Sequence, residues 1–162
     1  MVNHPYSQLI EIKRWADCGL YESVTENFDR LSPEDGFIML RILDHIHVVD
    51  RIFQHQLQRL PHTFTAPRSE QMPELQTLAD SASEVDDWYA SYVNNLTQDD
   101  LEEPIDFVFT SGKPARMKRG EMLLHVCLHG TYHRGNAGAL LQLRGMTPSR
   151  DAITDFLEDA NG

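Results

Sequence analysis

Three of the chain's eight histidines fall at a fixed interval, His125, His129 and His133, within the run HVCLHGTYHRGN from His125 to Asn136. On an α-helix, residues four apart stand one above another on the same face, roughly 6 Å apart along the axis. Two imidazoles so placed can hold one metal ion between them, and a third ligand has to come from elsewhere. His45 is the candidate, because it falls into the stripe Ile38/Ile42/Val49 of an earlier helical segment. His47 is rotated about 200° from His45, so only one of the two can face the same core, and by this pattern it is His45.

His45, His129 and His133 are therefore candidates for a single site. Three neutral imidazoles suit Zn²⁺, Ni²⁺, Fe²⁺ or Mn²⁺ and leave the ion its full double charge and open positions. Such an ion acts as a Lewis acid or lowers the pKa of a bound water or thiol toward neutrality. The spacing alone leaves a plainer reading open, in which these histidines are hydrogen-bonded core or surface groups. His125 reads as a supporting or partly exposed residue one turn nearer the helix start. His4, His47, His55 and His62 read as surface residues.

Other chemistries lack their residues. There is no HExxH, no pair of Glu-x-x-His motifs, no G-x-G-x-x-G, no P-loop and no G-x-S-x-G. Cys127 lies about 200° around the helix from His129 and should not share its metal.

The elements that must position the histidines follow from periodicity and caps. Leu9, Ile12, Ala16, Leu20 and Val24 predict an amphipathic helix from Pro5 to about Asp29, with Trp15 beside the stripe as a core or interface anchor. Ser32 as N-cap and Pro33 in the first turn start a second helix, which Pro61 stops after about Leu60. A loop over 62–72 leads to a third helix from about Pro73 to Leu96, whose acids Glu84, Asp86 and Asp87 read as a solvated face. Ile105, Phe107 and Phe109 alternate with Asp106 and Val108, predicting a strand, a turn at Thr110–Pro114 and a return strand at Ala115–Met117. A hairpin of that size has to pack on the helices. The fourth helix runs from about Gly120 to Leu143, and a short last helix follows a capping Ser149, through Ile153, Phe156 and Leu157. Gly130, Gly135 and Gly138 each cost a helix interior about 1 kcal/mol, which points to close backbone approach. Gly130 and Gly135 are expected to let the helix bearing His45 come near. The fold class is all-α: a four-helix bundle with a small β-hairpin between the third and fourth long helices and a short C-terminal helix.

A chain of 162 residues, 41% hydrophobic and 24% charged, is expected to form one domain over 1–162. The net charge of −11, from 14 basic and 25 acidic residues, argues against nucleic acid as partner. The one basic cluster, Arg116, Lys118 and Arg119, is too short to reverse that. No apolar run is long enough to cross a bilayer and no secretory h-region opens the chain. With Cys18 and Cys127 fitting a reducing compartment, the expected location is cytoplasmic.

Taken together, several stretches resemble the DinB/YfiT-like family of metal-binding bundles. Arg14-Trp15-Ala16-Asp17 is similar to the family's RWAN-type first helix, and Leu43-Asp44-His45-Ile46 through Asp50-Arg51-Ile52-Phe53 to its second. The hairpin at Thr110-Ser111-Gly112 is in the expected place. His129-Gly130-Thr131-Tyr132-His133-Arg134-Gly135 closely resembles the HGTYHRGQ signature, with Asn136 where Gln is usual. The resemblance implies a homodimer binding a divalent metal through His45, His129 and His133. It also implies enzymes that activate a low-molecular-weight thiol, such as bacillithiol or mycothiol, for transfer to an electrophile or for isomerisation. The alternative is a non-catalytic dimeric bundle that binds a metal or a small ligand. Trp15 and Tyr132 are candidate walls of the site, with core packing the favoured reading for both.

Overall fold

The computed structural model describes residues 5–162, so His4 lies outside the described residues. Four long helices form the bundle: α1 (Pro5–Asn27), α2 (Pro33–Leu57), α3 (Leu75–Asn94) and α5 (Arg119–Leu143). Between α3 and α5 come a short α4 (Gln98–Glu102) and the strands β1 (Pro104–Val108) and β2 (Pro114–Lys118), and α6 (Ile153–Asn161) ends the chain.

The starts of these elements are chemically local. Ser32 Oγ accepts from Asp35 N–H at 3.1 Å with Pro33 in the first turn of α2. Glu121 accepts from Lys118 N–H at 2.8 Å at the start of α5. Thr97 and Asp100 cap α4 reciprocally, a Thr-x-x-Asp signal that the periodicity reading passed over. Ser149 does not cap the last helix; Ala152 precedes α6 and offers no side-chain acceptor.

Around the bundle the order is α1, α3, α2, α5, with α1 and α2 facing each other across the diagonal. At one end Ile10, Phe53, Tyr89 and Leu123 pack together; at the other Leu20, Leu43, Leu78 and Leu141 do. The residue order within these two clusters makes α1 and α5 parallel to each other and antiparallel to α2 and α3. Because α2 and α3 run in parallel, the segment 58–74 must return along roughly 30 Å, the rise of the 20-residue α3, before that helix begins. That return draws it over the middle of α2, where Asp44 Oδ2 accepts from Ser69 N–H at 2.9 Å.

The hairpin pairs Phe107 with Ala115, and Gly112 supplies the positive φ of 84° that its turn requires. Its inward residues Ile105 and Phe107 are buried, and Phe107 meets Phe53 edge-on at 5.9 Å, so the hairpin does pack on the helices. Trp15 likewise anchors an element: it meets Phe156 of α6 edge-on at 5.8 Å and donates to Asp159 at 3.1 Å.

Between the two apolar clusters lies a buried ionic layer. Lys13 Nζ stands 2.6 Å from Asp17, 2.8 Å from Asp50 and 2.7 Å from Asp86. Arg134 bonds Asp17 at 2.9 Å and Asp151 at 2.7 Å. Asp86 is therefore not on a solvated face but inside the bundle, because Lys13 is there to receive it. The signal was present in each seam. Ile10-Lys13-Asp17-Leu20, Ile46-Asp50-Phe53, Ala82-Asp86-Tyr89 and Gly130-Arg134-Ala137 all keep the three-four spacing of core positions.

Candidate metal centre

His45 comes from the middle of α2, and His129 and His133 from the middle of α5, which packs against it. The structure brings all three together: one ring nitrogen from each lies within 4.8 Å of the others. His45 Nε2 and His129 Nε2 are 3.0 Å apart. The ring of His133 is 4.5 Å from that of His45 and 4.5 Å from that of His129. The three are half-buried along the α2–α5 groove rather than pointing into the bundle centre. At this level the centre holds the ionic layer, which corrects the expectation that His45 faces an apolar core.

The proton inventory explains why the nitrogens converge. His45 Nδ1 lies 2.6 Å from the Pro67 carbonyl, which can only accept, so Nδ1 carries a hydrogen and the lone pair of the neutral ring is at Nε2. That lone pair faces His129 Nε2. Burial, and then the neighbouring His45, His133 and His125, push His129 down to about 3, so it is neutral at physiological pH. Burial and His45 also lower His133. His129 and His133 are thus held toward the neutral form, the state in which an imidazole binds a cation, with the His45 ring converging on them. Nitrogens that share a tetrahedral ion at 2.0–2.1 Å lie about 3.3 Å apart, close to the 3.0 Å between His45 and His129. The donor set fits a divalent transition metal.

The surroundings sort the remaining expectations. His125 stands outside the three-histidine group, stacked between Phe53 at 4.6 Å and His129 at 5.6 Å. His47 is half-buried, not a surface residue: its Nδ1 has no partner, and burial pushes it down to about 4. His55 and His62 are also half-buried, with Phe64 beside both. Tyr132 is neither core nor wall; it is 69% exposed and meets His133 edge-on at 5.0 Å. Cys127 is buried among apolar side chains that push its thiol up to about 12, and takes no part in the site. Asn136 approaches His133 Nδ1 at 3.5 Å.

The glycines act differently from expectation. A Cβ on Gly130 would lie 3.0 Å from Arg134 Nη1 and 3.7 Å from Lys13 Cε, so Gly130 makes room for the ionic layer, not for α2. Gly135 faces open space, and Gly138 is met by Pro148.

Sequence reasoning missed the crossing segment. Pro67, which orients His45, and Arg68 lie beside the histidines with Arg41, lining a cavity of about 410 Å³ with His45 and His133. On the other side His129 and His125 open onto a second cavity of about 340 Å³ beneath the hairpin.

Fold and site together define a class, the histidine-bearing four-helix bundles with a hairpin before the last long helix. The DinB family profile matches residues 24–161, and the chain belongs to the DinB family. A crystal structure of a DinB-like protein from Bacillus cereus superposes with a TM-score of 0.60 at 19% identity, covering 90% of this chain and 94% of that one. That likeness is one of fold. No curated protein matches the sequence. No helix among the described residues is long and apolar enough to cross a membrane.

Proposed function

We propose that His45, His129 and His133 hold a divalent metal ion, and that the protein is an enzyme that transfers a low-molecular-weight thiol to an electrophile. The observation that carries this reading is the convergence of three ring nitrogens, with His45 Nδ1 held by the Pro67 carbonyl and its Nε2 3.0 Å from His129 Nε2. When bound, the ion supplies Lewis acidity that favours the thiolate form of a thiol. The chain supplies the rest. Pro67 fixes the tautomer and the ring plane of His45. The ionic layer, through Arg134 directly after His133, pins α5 to α1 and so sets the pitch of His129 and His133. The two cavities reach the histidines from either side of Pro67, which lines both.

The test is to load the tag-free protein with Zn²⁺, Ni²⁺ or Mn²⁺ and assay several thiols against a model electrophile. Thiol consumption above that of free metal, lost in His45→Ala, is expected. No turnover with any thiol or metal defeats the enzymatic reading.

A second reading is a non-catalytic metal- or small-ligand-binding protein. It is favoured by the cavity linings, which contain no carboxylate to serve as general base. Under either reading we propose a homodimer. Leu128, Tyr132 and Leu143 form an exposed row on α5, and Phe37 and Ile38 are exposed on α2 near its far end.

A further inference from the structure

We propose that the small molecule used at this site is an anion with an apolar, aromatic-sized body, held by Arg41 and Arg68 at one end and by the hairpin phenylalanines at the other. The inference rests on the proposed metal site and names the chemistry of its substrate.

The chain carries a net charge of −11, yet among the described residues neither cavity beside the histidines is lined by an aspartate or glutamate, and one is lined by two arginines. Among the described residues Arg68 has no carboxylate partner. Arg41 is held in place by Asp44 and the Ser69 carbonyl, both at 3.2 Å from Nη1, and still exposes 31% of its side chain. Asp44 is fully buried and also takes the Ser69 N–H, so it fixes Arg41 in place and offsets its charge, leaving Arg68 as the uncompensated cation of the cavity. A divalent ion on three neutral histidines adds further positive charge. The cavity is therefore electropositive in an acidic protein, and an anion is what such a field concentrates.

The apolar surface lies on the other side of Pro67, which lines both cavities. There Phe53, Phe107 and Phe109 form a chain of edge-on rings at 5.9 and 5.1 Å, and Phe109 is left 41% exposed at the hairpin end. A dry cavity of about 150 Å³ accepts benzene, so about 340 Å³ accommodates a substituted ring. Volumes of this order belong to small molecules and not to a protein segment. His45 and His129 belong to opposite cavities yet meet at 3.0 Å, so one ligand bridging the rib at Pro67 touches both.

The experiment is calorimetric titration of the full chain, metal-stripped and zinc-loaded, with 3-phenylpropanoate, the neutral 3-phenylpropanol and propanoate. 3-Phenylpropanoate should bind about tenfold or more tighter than either partial probe, the scale of one charge-assisted contact. Arg68→Gln should abolish its advantage over the alcohol, and Phe109→Ser or Ser111→Trp its advantage over propanoate, all on surface positions whose folding is checked by thermal melting. Equal binding of acid and alcohol, no binding of any probe, or an order unchanged by these variants would overturn the proposal. Zinc content measured on the same samples separates the two readings. Loss of metal binding with the probe order intact defeats the metal site alone. Full zinc with no probe selectivity defeats this inference alone.

Discussion

The histidines of this chain divide by what shares their surroundings. His45 has a carbonyl to hold its proton, and His129 and His133 have one another. His47 is governed chiefly by burial, with the Arg51 charge adding to it, and its folded-state value near 4 has a thermodynamic consequence. The unfolded chain accepts a proton at about 6.5 that the folded chain refuses until about 4, so acid favours the unfolded state across that window. Metal-stripped protein should lose stability as the pH falls from about 6.5 to about 4, and His47→Leu should flatten the profile by on the order of 1–3 kcal/mol, read from urea midpoints at each pH. Parallel profiles would remove His47 from the account. Buried Asp86, pushed up to about 7 chiefly by desolvation, acts in the opposite sense: its unfolded form ionises first, so it costs stability as the pH rises from about 4 to about 7. Comparing the variant with the parent isolates the histidine from this background.

At the level of elements, what could be read from the sequence was what is decided locally. Ser32-Pro33 and Glu121 mark helix starts because their capping partners lie within a turn. The alternation Ile105/Phe107 marks the strand because it reports one buried face. Asp86 reads as solvated in the sequence, and Lys13, Asp17, Asp50 and Arg134 are not picked out by their spacing alone, because a charge at a seam position is tolerable only when its partners arrive from other helices. Pro67 and Arg68 were not read because the crossing of 58–74 over His45 depends on α2 and α3 being parallel. The glycines of α5 give a direct check on this reading. Gly135→Ala, with nothing within 4 Å of its Cβ, should stabilise by up to about 1 kcal/mol through helix propensity. Gly130→Ala should instead destabilise despite the same propensity gain, because its Cβ meets Arg134 where Asp17 and Asp151 hold that side chain. Thermal melts of the two variants moving in the same direction would contradict the packing described.

For the whole molecule, the bundle holds an ionic layer inside and leaves an apolar row outside. Leu143 is 76% exposed and Leu128 69%, a pattern that a monomer has little reason to keep. The protein should run as a dimer in light scattering, and Leu128→Lys with Leu143→Lys should yield a monomer; a monomeric parent would set the homodimer aside. The claim on which the rest depends is the three-histidine metal site, and its direct test is the metal content of tag-free protein by elemental analysis. The account predicts one divalent ion per chain after metal exposure and dialysis, lost in His45→Ala, His129→Ala and His133→Ala and retained in His125→Ala. Full occupancy in His45→Ala, or none in the parent, would contradict it.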